Sequence, residues 1–114
     1  ANRRHEVINR RVNIMIELRK LAIAKDREGF SAEQLEKALN VLATSQYGAG
    51  HGRFSVRQFD DQLWILEVPQ PARDRVWVMN YDSGEAWLVP AGREMEHITR
   101  LSSQHGRQIR RLCR

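Results

Sequence analysis

Only one of the 114 residues of this chain is cysteine, three are proline and three are lysine. A single thiol, Cys113, excludes an internal disulfide framework and fits a reducing compartment. No apolar run comes near the roughly 18 residues that a membrane-spanning helix needs, so no membrane partner is expected. The opening Ala-Asn-Arg-Arg-His-Glu has no continuous apolar block of the kind a secretory signal carries, which makes the cytoplasm the expected location. His5, His51, His97 and His105 lack metal-ligand spacing, and no serine sits in a nucleophile elbow. No metal and no cofactor is therefore expected. Acidic residues are also missing from one region: none follows Glu96.

What is present describes an ordinary globular chain. With 41% hydrophobic and 29% charged residues it has enough apolar side chain for one core, and its length fits one domain, 1–114. The net charge is +5, and sixteen of the nineteen basic residues are arginine. The planar guanidinium fork suits phosphate and base edges better than the point charge of lysine. Its placement is uneven. Arg100, Arg107, Arg110, Arg111 and Arg114 crowd the acid-free end, and Arg3, Arg4, Arg10 and Arg11 form a second concentration at the start. The middle is close to balanced. The leading expectation is a nucleic-acid-binding protein that neutralises phosphates through Arg100, Arg107, Arg110, Arg111 and Arg114, helped by Arg3 and Arg4.

The order of elements points to an α+β fold: an N-terminal helical hairpin (1–45), a four-stranded antiparallel β-meander (53–90) and a basic C-terminal helix (93–114). The first helix is expected from about Arg4 to Arg27, with Val7, Ile8, Val12, Met15, Leu18, Leu21, Ala22 and Ile23 covering more than half its circumference. Packing inside the domain or a homodimer contact would use so wide a face. In the second helix Ser31 can cap the start and Gln34 can close a capping box, with Phe30 stapled onto Leu35. Its exposed side carries Glu33, Glu36 and only Lys37, which does not suit a recognition helix facing phosphates.

The stretch from Gln46 to Arg53 holds three glycines and can deliver His51 and Arg53 to the edge of the sheet. A three-residue turn over Asp60-Asp61-Gln62 would set Phe59 against Leu63. Phe54, Val56, Gln58, Trp64, Leu66 and Val68 would then share the core face, and Arg57 would be a diagonal neighbour of Glu67 on the other. A second hairpin over Asp82-Ser83-Gly84 would group Trp77, Met79, Tyr81, Trp87 and Val89 against Val76, Val78, Ala86 and Leu88. Both of its faces are apolar, so cover by helices on both sides, or a place at an oligomer interface, is expected.

Two enzyme chemistries fit the residues less well. In a metal-independent ribonuclease Glu67 would act as base, His51 as acid, and Arg53 and Arg57 as clamps on the phosphorane. Helices preceding an antiparallel sheet resemble the layout of small bacterial ribonucleases and toxins. The segment from Asp74 to Pro90 resembles the late hairpin of some PD-(D/E)xK nucleases, which implies a metal-dependent nuclease. Where that family carries an aspartate and then Glu-x-Lys, however, this chain has Ser55 and Glu67-Val68-Pro69. A third class is a non-catalytic assembly or adaptor protein that would use the apolar faces instead.

Overall fold

A computed structural model describes residues 2–51 and 53–102, with side chains described for 10–51 and 53–102. The fold is α+β. Helix α1 (Asn2–Lys25) buries Met15, Leu18 and Ala22, which recur at the spacing of one helical face. Its apolar face is narrower than the sequence implies, because Leu21 and Ile23 stay 37% and 44% exposed. The helix stops before Asp26, whose carboxylate leaves the helical path to accept the Tyr81 hydroxyl at 2.8 Å. Gly29 then turns the chain at φ 88.

Helix α2 (Ala32–Tyr47) begins as expected. The Ser31 hydroxyl accepts the Gln34 amide at 3.2 Å, and the Gln34 side chain accepts the Ser31 amide at 3.0 Å. Together these satisfy two of the amides that a helix start leaves without partners. Phe30 packs into the same core as Leu35, and Leu39, Leu42 and Ala43 complete the buried face. The helix runs on to Tyr47, where the Gly48 amide bonds to the Thr44 carbonyl at 3.0 Å.

Strands β1 (Phe54–Phe59), β2 (Gln62–Glu67), β3 (Arg75–Asn80) and β4 (Ala86–Pro90) form an antiparallel meander in sequence order. Both hairpins pair one position away from the expected register. Phe59 sits opposite Gln62 rather than Leu63, because the turn is Asp60-Asp61 alone, with Asp60 at φ 53. Aspartate tolerates that left-handed conformation better than most side chains. In the second hairpin Met79 pairs with Ala86 and Val78 with Trp87. Here the loop is longer than expected, from Tyr81 to Gly84. The Asn80 side chain stabilises it by accepting the amides of Asp82 at 3.0 Å and Ser83 at 2.9 Å. Gly84, at φ 75, closes it with a 2.8 Å bond to the Asn80 carbonyl.

The corrected registers regroup the side chains into two cores, one on each side of the sheet. Phe54, Val56, Leu63, Ile65, Trp77, Met79 and Ala86 pack against α1 and α2. Trp64, Leu66, Val76, Val78, Trp87 and Val89 pack against a third helix, α3 (94–102), through Ile98 and Leu101. The second hairpin is thus covered on both faces, as its apolar composition requires. Trp64 and Trp87 meet with ring centroids 5.8 Å apart.

Helix α2 also seals the start of β1, which is an edge strand. The Asn40 amide nitrogen donates to the Phe54 carbonyl at 2.9 Å, while its oxygen accepts the Phe54 amide at 2.8 Å. One turn earlier, Glu36 accepts the Val56 amide at 2.9 Å. These two side chains stand in for a neighbouring strand. Exposed edge groups otherwise act as a template for pairing with another chain.

Candidate functional site

The arginines named from the sequence fall unevenly on the described structure. Arg100 is exposed on α3, its Nη2 2.7 Å from His97 Nδ1, while Ile98 and Ser102 of the same helix are buried. Arg3 and Arg4 belong to α1, but their side chains lie outside the described residues. Arg107, Arg110, Arg111 and Arg114 also lie outside them. Among the described residues α3 carries Glu94 and Glu96 beside Arg100, so this part of the helix is not basic.

The Arg57–Glu67 pairing on which a ribonuclease site would depend does not form. Arg57 sits opposite Trp64, on the sheet face toward α3, whereas Glu67 sits opposite Phe54, on the face toward α1 and α2. The two-residue Asp60-Asp61 turn causes this by shifting the register one position. Glu67 is held instead by partners distant in sequence. Its Oε2 lies 3.0 Å from Arg11 Nη1 and 3.8 Å from Arg73 Nη1, and its Oε1 accepts the Trp77 amide at 2.8 Å. The side chain is only 13% exposed. A carboxylate held on both oxygens is a structural acceptor and poorly placed to serve as a general base.

Three of the four residues considered for that chemistry nevertheless meet. His51, Arg53 and Glu67 line one cleft of about 70 Å³ together with Arg11, Ile14 and Gln70. The backbone sets it up. The Arg53 carbonyl accepts the Val68 amide at 3.1 Å and so extends the β1–β2 ladder to the cleft floor. Above the floor, the loop turns at Gly48, which has φ 99, and the His51 amide bonds back to the Gly48 carbonyl at 3.1 Å. His51 and Arg53 are exposed along the rim. The Tyr47 ring stands 6.2 Å from the His51 ring at a 54° tilt. Arg11, Arg53 and Arg73 outweigh Glu67, leaving an excess of positive charge suited to an oxyanion.

Arg11, which lines the cleft, and Arg73, which pairs with Glu67 from outside its lining, both escape sequence reasoning. Arg11 shows only as part of the N-terminal arginine concentration, and its meeting with Glu67 spans 56 positions. Among the described residues, no group of three or more His, Cys, Asp or Glu side chains is placed to hold a metal ion. No described helix is long and apolar enough to cross a membrane. Compared with protein-family models, characterised proteins and solved structures, the chain finds no match.

Proposed function

We propose that this protein binds nucleic acid by neutralising its phosphates with arginine. The observation that carries the reading is the charge distribution: five arginines and no acidic residue follow Glu96 in a chain of net charge +5. Arg100 opens that series from the solvent side of α3, whose Ile98 anchors the helix on the sheet. The N-terminal concentration, Arg3, Arg4, Arg10 and Arg11, supports it from the other end of the chain. Phosphate contacts of this kind are independent of sequence and release condensed counterions, so affinity falls steeply with salt.

A filter-binding titration over a salt series tests the reading. Replacing Arg107, Arg110, Arg111 and Arg114 with alanine should weaken binding of unrelated DNA and RNA sequences alike. On duplex DNA the log–log salt slope should become shallower by about 0.9 for each phosphate that is no longer neutralised. Unchanged titrations would remove the C-terminal arginines as the interface. Competition separates this function from docking onto an acidic protein: DNA or RNA should displace a labelled oligonucleotide, and polyglutamate of similar charge should not.

A further inference from the structure

The cleft between α1 and the loop before β1 has a composition that the fold does not require. Arg53 and His51 stand exposed at its rim, and no hydrogen bond or ion pair of either side chain is found among the described residues. Arg11 is half-buried and directs one guanidinium nitrogen to Glu67. The Glu67 charge is offset twice, by Arg11 at 3.0 Å and Arg73 at 3.8 Å, so it does not dominate the local field. About 70 Å³ of space lies between these groups. The cleft is open to solvent and has room for one tetrahedral oxyanion.

We infer that this cleft is a binding site for a single phosphate group. Arg53 and His51 donate to its oxygens, and Arg11 supplies further positive charge from the wall. Glu67 is a positioning residue. It holds the Arg11 side chain in place and, through its own charge, weakens phosphate binding. The inference rests on the nucleic-acid reading only for the source of the phosphate, which is a polynucleotide or a small phosphate ester. The binding chemistry is common to both. A guanidinium beside an imidazole N–H matches the donor pattern that phosphate oxygens accept.

The test is titration of the full chain with inorganic phosphate, followed by NMR of the His51 ring and the Arg53 side-chain N–H. Sodium chloride at matched ionic strength is the control. A saturable shift that chloride does not reproduce is expected, weakened at least about tenfold in the His51→Ala/Arg53→Ala double variant. Both residues are exposed, so the fold should survive their loss, and an unchanged amide spectrum elsewhere will show it. Glu67→Gln should bind phosphate severalfold more tightly, since one negative charge leaves the cleft. The inference is overturned if phosphate gives no saturable shift, if chloride reproduces it, or if the double variant keeps wild-type affinity. Replacing Arg107, Arg110, Arg111 and Arg114 with alanine should leave the phosphate response intact, so failure of the C-terminal interface and failure of the cleft are separable. Competition by a 5′-phosphorylated oligonucleotide, its unphosphorylated form and a sugar phosphate then assigns the source.

Discussion

Arg11 of α1 and Glu67 of β2 meet at 3.0 Å across 56 positions of sequence and tie the first helix to the open end of the first hairpin. The glutamate also accepts the Trp77 amide at 2.8 Å, so one carboxylate holds α1, β2 and β3 together. Replacing it separates two contributions. Glu67→Gln keeps an acceptor for the Trp77 amide and loses the ion pairs, at a cost of about 1 kcal/mol. Glu67→Ala leaves the amide and the guanidinium without partners and should cost about 2–3 kcal/mol. Urea unfolding of both variants checks the order. Equal losses would show that the charge, rather than the amide bond, carries the effect.

The packing of α2 on β1 gives a second prediction. Asn40→Ala removes both partners of the Phe54 backbone and should destabilise by about 2 kcal/mol. It should also raise the fraction of associated species on size-exclusion chromatography, because the strand edge is then open. Glu36→Gln preserves the acceptor for the Val56 amide and should lose less than about 0.5 kcal/mol.

The β3–β4 loop predicts a coupled pair. Arg19 donates from Nε to the Tyr81 carbonyl at 2.6 Å and from Nη2 to the Asp82 carbonyl at 2.8 Å. A side chain at Gly84 would place its Cβ 2.8 Å from Arg19 Nη1, at a backbone φ of 75. Gly84→Ala should therefore cost about 2 kcal/mol, from backbone strain and from displacing the clamp. In an Arg19→Ala background only the strain remains, so the second substitution should cost less there. A double-mutant cycle measures the difference.

Tyr81 predicts behaviour in alkali. Burial, then its hydrogen bond to Asp26 and the charge of that carboxylate, push the phenol well above the usual tyrosine range. The fold favours the neutral phenol, so this contribution is complete well below pH 10, the midpoint at which an unfolded tyrosine is half ionised. It is lost progressively as pH rises from there through the folded value. Absorbance near 295 nm should show this phenol still protonated after a free tyrosine has titrated, and stability should fall above about pH 10. In Tyr81→Phe that alkaline fall should be shallower, while stability at neutral pH drops because Asp26 loses its donor.

What the sequence revealed and what it concealed follow from range. The Ser31–Gln34 capping box is a contact over three residues, and its residue types name it. The four strands show equally well in alternating apolar side chains and turn residues. Pairing register does not, because it depends on how many residues each turn consumes. Asp60 adopting φ 53 shortened the first turn, and the Asn80 side chain supported a longer second loop. Each change moved one strand by a single position relative to its partner, and the first placed Arg57 and Glu67 on opposite faces. The cleft was legible only in part: the glycine-rich stretch marked His51 and Arg53, while Arg11 and Arg73 join through folding alone. Asn40 did carry a trace of its role, since asparagine is a poor helix former and its place inside a helix points to some other use.

The seal on β1 also limits how copies of this chain can join. A sheet lengthens by adding strands at a border with open amides and carbonyls, and this sheet has two borders, β1 and β4. At the first, Asn40 already occupies the amide and carbonyl of Phe54, and Glu36 the amide of Val56. Two molecules meeting through β4 would build a double-width sheet with a β1 at each end whose first half is covered by α2. Such a pair offers a third copy only the second half of β1 at each end, so further strand addition is confined to a short stretch.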